Sequence, residues 1–453
     1  MSVGDQGASG QAGAETPSPR TIQRTYLLLV LGNTLAASLI WGINTIFLLD
    51  AGLSNLEAFA ANAFFTAGMV VFEVPTGVVA DTVGRRASYL LGTVTLAAST
   101  LLYVLLSVVE APFWQWAAVS VFIGLGFTFF SGAVEAWVVD AMAGAGYTGN
   151  MERVFGKGQA VMGAAMLTGS VAGGFIAQQL GLGVPFVIRG AILIVMFVVA
   201  YRLMHDIGFR PARRAGPVAE VRKVFTASVR YGLGVPAVRW LMLEGLVTGG
   251  VGIYAFYALQ PYLLELYGDP SAYQIAGLAA AIIAGAQILG GVVAPAIRRL
   301  FHRRTTALIV VGAVGVAALG LIGTIRSFWG VIILIAVWAL VFAASMPIRQ
   351  SYLNGLIPSA QRATILSFDA LMDSTGGVWA QPVLGRAADV WGYGPSYVLG
   401  AGIVALGLPF IAMSRRQNAP ADRIDAVSPE ASPEARAVAA AALAEDETPA
   451  DAR

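Results

Sequence analysis

The chain has 453 residues, 57% of them hydrophobic and 12% charged, with a mean hydropathy of +0.72. A soluble domain carries about 25% charged residues, so this composition belongs to a polytopic membrane protein. The net charge of +2 says little by itself, and the absence of cysteine excludes disulfides, thiolate metal sites and cysteine nucleophiles.

Residues 1–24 are polar and rich in Gly, Ala, Ser and Pro. They lack the charged start and apolar core of a cleavable signal, so they are expected to be a disordered cytoplasmic tail before an uncleaved first span. Twelve apolar segments come next, at about 25–49, 56–80, 87–109, 112–139, 154–180, 184–204, 239–266, 272–297, 305–325, 328–355, 363–388 and 395–414. At roughly 1.5 Å per residue, each is about long enough to cross a bilayer. Six form one unit (25–204) and six another (239–415). The basic linker between them (205–238) is expected to hold a surface helix from Val218 to Val229. The tail at 416–453 offers Pro, Ala and acidic residues with no apolar face, and is expected to be disordered and cytoplasmic.

With the N-terminus inside, all but four of the 28 Lys and Arg fall in cytoplasmic loops, tails or helix ends. Arg189, Arg326 and Arg386 are assigned to the outside, and Arg349 to the interior of a span. That asymmetry predicts cytoplasmic termini.

Between the second and third spans runs Gly77-Val78-Val79-Ala80-Asp81-Thr82-Val83-Gly84-Arg85-Arg86. Gly77 is expected to allow close helix approach, and Gly84 to take a left-handed conformation that ends the turn. Asp81, Arg85 and Arg86 place charge at the membrane edge. This Gly-x-x-x-Asp-x-x-Gly-Arg-Arg turn resembles the signature loop of the major facilitator superfamily of secondary transporters. The resemblance covers residues from about 25 to 415. It implies an all-α membrane protein of twelve transmembrane helices in two pseudo-symmetric six-helix bundles, working by alternating access around a midplane site.

The chain also repeats. A shift of 214 lays Gly77-Val78-Val79-Ala80-Asp81 over Gly291-Val292-Val293-Ala294-Pro295, Ser131 over Ser345 and Glu135 over Arg349. A shift of 216 lays Trp41 over Tyr257 and Asn44 over Gln260, and a shift near 210 lays Gly190-Ala191 over Gly400-Ala401. The halves are therefore copies of one unit.

An ionisable group in hydrocarbon costs at least a few kcal/mol, so charged residues inside spans are functional or paired. Spans 3, 8, 9 and 12 carry none, whereas Glu73, Glu135, Asp140, Glu244, Arg349, Asp369 and Asp373 do lie in spans. By the resemblance, spans 1, 4, 7 and 10 line the cavity. Glu135 and Arg349, matched in the repeats and opposite in charge, would then face each other or the same water. Glu135 is the expected proton carrier and Arg349 its counter-charge or an anion contact, the alternative being a structural pair fixing the register of spans 4 and 10. Asp369 and Asp373 share a helix face and suit protons, cations or a polar seam against span 2. Glu73 precedes Pro75, whose ring frees a backbone carbonyl that a protonated Glu73 would satisfy; a second proton site is the other reading. Glu244 is expected to snorkel. By the resemblance Asp140 pairs with Arg85, and Asp81 sits at the N-terminus of span 11, so that Gly77, Asp81, Gly84, Arg85, Arg86 and Asp140 form a latch. Asn33, Trp41, Asn44, Tyr254, Tyr257 and Gln260 suit a cavity for ligands of mixed polarity, with core packing the alternative for the aromatics.

Gly385-x-x-x-Asp389-x-x-Gly392 copies the signature spacing on the outer side but lacks the basic pair, and reads as a turn. Gly156-Lys157-Gly158 is no phosphate loop, because Met151 stands where its first glycine belongs. His205 and His302 stand alone in loops, and no metal or hydrolase constellation occurs. Gly169-Ser170-Val171-Ala172-Gly173-Gly174 resembles an element of drug/proton antiporters, with Ser170 replacing its proline. The Phe-Glu-x-Pro-Thr-Gly and Ser-Gly-Ala-x-Glu-Ala runs resemble bacterial efflux members. The resemblance therefore leads one to expect a proton-coupled exporter of a small amphipathic compound, in a bacterial plasma membrane. Its partners are the substrate, protons and the bilayer; it takes no cofactor, metal or nucleic acid, and is a monomer. The alternatives are a nutrient symporter and a transporter-like receptor or scaffold that moves nothing.

Overall fold

The computed structural model describes residues 17–209, 211, 233–357 and 362–424. The expected helix from Val218 to Val229 and most of both tails lie outside these residues. Among the described residues the chain forms α1 (Pro19–Trp41), α2 (Asn44–Asp50), α3 (Asn55–Thr82), α4 (Arg85–Val108), α5 (Phe113–Phe130), α6 (Ala133–Gly144), α7 (Met151–Leu180) and α8 (Val184–Leu203). After the linker come α9 (Pro236–Thr248), α10 (Val251–Tyr267), α11 (Tyr273–Arg299), α12 (Arg304–Thr324), α13 (Phe328–Leu356), α14 (Arg362–Trp391) and α15 (Tyr393–Arg416).

These helices make twelve spans, because spans 1, 4 and 7 are each broken in two. Span 1 breaks at Gly42-Ile43, span 4 at Ser131-Gly132 and span 7 at Gly249-Gly250. At the second break Gly132 takes φ 66°, a left-handed conformation that interrupts the helix. Among the described residues, eleven helical segments are long and apolar enough to cross a membrane. The remaining span, α14, is as long but more polar, since Asp369, Asp373, Arg386 and Asp389 lie on it.

Local chemistry sets the ends. Ser18 caps α1 through the N–H of Thr21, with Pro19 at the first helical position, so span 1 starts inside the stretch expected to be a disordered tail. Ser54 and Glu57 form a reciprocal capping box at the start of span 2. The other tail also differs from expectation. Asp422 is buried and accepts from the N–H and hydroxyl of Thr305 at 2.8 and 2.9 Å, so residues up to Ile424 are tied to the start of span 9.

The halves pack alike. Span 1 lies against spans 5 and 6, span 2 against 4 and span 3 against 6; span 7 lies against 11 and 12, span 8 against 10 and span 9 against 12. Between halves, span 2 meets span 11 and span 5 meets span 8. Small residues permit this closeness: a Cβ on Gly173 would strike the carbonyl of Leu39 in span 1, and one on Gly174 would lie 2.9 Å from the Cα of Gly277 in span 8. The glycine run of span 5 is thus packed on both of its neighbours.

Candidate functional site

Two groups of side chains lie at the heart of the bundle, an aromatic cavity and, nearer the Gly77–Arg86 loop, a cluster of charges. The cavity has a volume of about 500 Å³ and draws its walls from both halves. Trp41, Asn44, Phe65, Phe127, Phe186, Phe256, Tyr257, Trp338 and Phe342 line it, so aromatic faces dominate. Of the seven residues expected to bind substrate, Trp41, Asn44 and Tyr257 are on these walls.

The other four lie elsewhere. Asn33 accepts from the Tyr89 hydroxyl at 2.8 Å inside the first half. Tyr254 is core: it bonds Ser396 and packs on Phe59 and Tyr397. Gln260 serves the break in span 1. Its amide donates to the Trp41 carbonyl at 2.5 Å and its oxygen accepts from the Thr45 N–H at 2.9 Å, so one side chain from span 7 satisfies a carbonyl and an N–H at the break. Arg349 belongs to the charge cluster.

That cluster gives Arg349 partners other than Glu135. Arg349 grips Asp369 with both terminal nitrogens, at 2.5 and 2.9 Å, and its Nε lies 3.4 Å from Glu244. It also donates to the Leu241 carbonyl at 3.1 Å, and Asp373 acts on it electrostatically. Every one of these partners is in its own half, on spans 7 and 11. Glu135 is exposed on span 4 and makes no ion pair with it. Neither does Glu244 snorkel: besides Arg349 it holds the Thr248 hydroxyl at 3.1 Å. Repeat matching pairs residues by position in two copies, but a guanidinium takes the carboxylates its own helix packing brings near. Glu73 also differs from expectation. It accepts from the Ser131 hydroxyl at 2.7 Å, at the break in span 4, while Thr76 bonds back to the carbonyls of Phe72 and Glu73.

In the signature loop, Arg85 lies between two carboxylates, 2.5 Å from Asp81 and 3.7 Å from Asp140. The residues 358–361 just before α14 lie outside the described residues, and with them the expected contact of Asp81 with that helix start. A Cβ on Gly77 would meet nothing within 4 Å among the described residues, so no close helix approach occurs there. Gly84 has φ 134° and ψ 152°, a positive φ that side chains rarely adopt, and a Cβ on it would lie 2.5 Å from the Asp206 carboxylate. Asp206 caps α4 through the Arg86 N–H at 3.0 Å, and the Arg86 guanidinium donates to the Tyr201 carbonyl at 2.5 Å and stacks 4.8 Å over its ring. The loop is thereby fastened to the end of span 6, a role for Asp206 that its place in a basic linker does not suggest.

On the opposite side of the bundle, the lookalike motif is no turn. Gly385 and Asp389 lie in α14, and Asp389 caps span 2 through the N–H groups of Asn55 and Leu56 at 2.9 and 2.8 Å. A Cβ on Gly385 would lie 2.8 Å from the Asn55 carbonyl, and the Tyr393 hydroxyl bonds the Asn55 side chain at 2.6 Å. The motif joins the two halves.

Arg189 is the residue that hydropathy alone misplaces. It stands on α8 with 3% exposure, on the cavity wall, rather than outside the membrane. The sequence does carry a signal: a lone cation within the run Phe186-Val187-Ile188-Arg189-Gly190-Ala191, inside the sixth apolar segment.

Among known proteins, the sequence model described as Major Facilitator Superfamily matches residues 26–380. An uncharacterized MFS-type transporter of Methanocaldococcus jannaschii is 24% identical over 217 residues, 48% of this chain and 54% of that protein. The match thus spans about half the length of that curated relative. Among solved structures, the nucleoside transporter NupG aligns with a TM-score of 0.68 at 12% identity, covering 87% of this chain and 98% of its own. A bacterial homologue of the lysosomal transporter Spinster gives 0.66 at 16%, covering 89% and 98%. A D-xylose-proton symporter gives 0.63 at 16%, covering 87% and 96%. At such identities the likeness is one of fold.

Proposed function

We propose, from the premise that this chain belongs to the major facilitator superfamily, that it exports a small amphipathic compound in exchange for protons. The chain is a multi-pass membrane transporter of that type and not an enzyme. Direction, coupling ion and substrate are our reading.

One observation carries the coupling: Glu244, Asp369 and Asp373 share the single guanidinium of Arg349. Fully ionised, the group holds three negative charges against one positive. Such an excess is unfavourable at membrane depth, and a proton is the smallest particle that relieves it. Arg349 and Asp369 form the fixed pair, leaving Asp373 and Glu244 to exchange the proton. Glu73 of span 2, which bonds Ser131 at the break in span 4, and Glu135, just beyond that break, offer a second station. A proton crossing with the membrane potential supplies about 2.3 kcal/mol per 100 mV. In this reading the signature loop faces the cytoplasm, and Arg85, Asp81 and Asp140 latch that side. The Asp389–Asn55 contact closes the outer side, and alternating access breaks one set of contacts as the other forms. Export rather than uptake rests on the aromatic cavity and on the runs around Glu73 and Glu135 that resemble efflux members.

Reconstitution in liposomes with a trapped pH dye tests this. Addition of a transported compound is expected to drive protons the opposite way. Substrate flux with no proton movement would remove the coupling, and substrate-linked protons moving in the same direction would replace export with symport.

A further inference from the structure

The cavity carries a charge that the coupling cluster does not use. Arg189 is 3% exposed, faces the cavity, and has no hydrogen bond and no carboxylate in ion-pair range among the described residues. Its Nε finds no acceptor. The side chains that act on it electrostatically are the phenols of Tyr103 and Tyr257, and the Phe127 ring lies 5.8 Å from it. A ring face attracts the cation but accepts none of its N–H groups in a directed bond. Leaving a buried guanidinium without an acceptor is strongly unfavourable, so a group retained there needs a partner.

The walls match such a partner. No Asp or Glu lines the cavity, so Arg189 is its one formal charge among the described lining residues. Two further polar atoms on the same walls lack partners, Asn62 Nδ2 and Thr100 Oγ1. Asn44, Thr66 and Gln287 add neutral polar groups, and the remaining walls are aromatic, aliphatic or thioether. The duplication does not impose this cation either, because the shift that lays Gly190 over Gly400 lays Arg189 over Leu399.

We infer that the substrate is a monoanionic, largely aromatic organic acid whose carboxylate is held by Arg189 while its ring lies among the aromatic walls. The planar fork of guanidinium N–H groups matches the two oxygens of a carboxylate, and the low polarity of aromatic walls strengthens the pairing. This deepens the transport reading and rests on it only for the claim that the bound acid moves.

The test compares three probes of one shape on the purified full chain: 2-naphthoate, neutral 2-naphthamide and cationic 2-naphthylmethylamine. The carboxylate is expected to bind about tenfold or more tighter than the amide, with the amine weakest. Arg189→Gln is expected to bring the carboxylate-to-amide ratio near one, and Arg189→Lys to keep part of it. The inference is overturned if the amide or amine binds as well as the acid, if Arg189→Gln keeps the preference, or if none of the three binds at millimolar concentration. The probe series on the unaltered protein decides even where the Arg189 variants fail to fold. Flux in liposomes separates the two claims. Arg189-dependent binding without flux under any gradient leaves the anion site standing and removes transport; flux of neutral or cationic compounds indifferent to Arg189 does the reverse.

Discussion

Asp389 accepts the backbone N–H of Asn55 at 2.9 Å, so a carboxylate from span 11 caps the start of span 2 across the divide between the halves. The next N–H, of Leu56, is held by the other oxygen at 2.8 Å. A carboxylate at a helix N-terminus meets unsatisfied donors and a partial positive charge. Asp389→Ala is therefore expected to weaken closure on this side by about 1 kcal/mol. The chain has no cysteine, so one introduced as Phe59→Cys, beneath the contact, reports opening without background. Its labelling should speed up about fivefold with Asp389→Ala, the rate equivalent of that free energy; an unchanged rate would show that the contact does not restrain opening.

Arg349 and Asp369 are expected to depend on each other. Arg349→Ala leaves three carboxylates facing one another and should lower stability by about 3 kcal/mol. Asp369→Asn in the same background removes one of those charges and should recover part of the loss. Thermal melts of the single and double variants give the coupling directly; strict additivity would deny the pair.

Proton coupling is expected to follow Asp373 more than Glu135. Asp373→Asn should abolish proton-driven flux and leave exchange of substrate for substrate intact, because only the driven mode needs the proton to come and go. Glu135→Gln should keep most of the driven flux. The reverse ranking, measured in the same vesicles, would return the coupling role to span 4.

Gly173→Ala is expected to destabilise the fold by about 1–3 kcal/mol, since its new methyl group would press on the backbone carbonyl of Leu39, which cannot rotate away. Gly77→Ala, with open space at its Cβ, should change the melting temperature little. Equal effects at both positions would mean that spans 5 and 1 are not in backbone contact at Gly173.

Much of this protein is legible in its residues alone. Apolar runs of bilayer length, the segregation of Lys and Arg, and the duplication arise from transfer energetics and from copying, and both leave their marks along the chain. The Arg85–Asp140 contact, named from the loop motif, joins spans 3 and 4 at 3.7 Å. Position in a repeat does not say which way a side chain turns. Glu135 and Arg349 match in register, yet Arg349 turns to Asp369 and Glu244 because spans 7, 10 and 11 converge around it. Arg189 reads as an outer loop charge, but the packing of span 6 sets it on the cavity wall. The Gly385–Asp389 copy reads as a turn, but span 11 runs on through it beside the start of span 2. Hydropathy fixes which segments enter the membrane, because each segment's transfer free energy belongs to that segment alone. The partners of a buried charge belong to several helices at once, so only their packing could decide them.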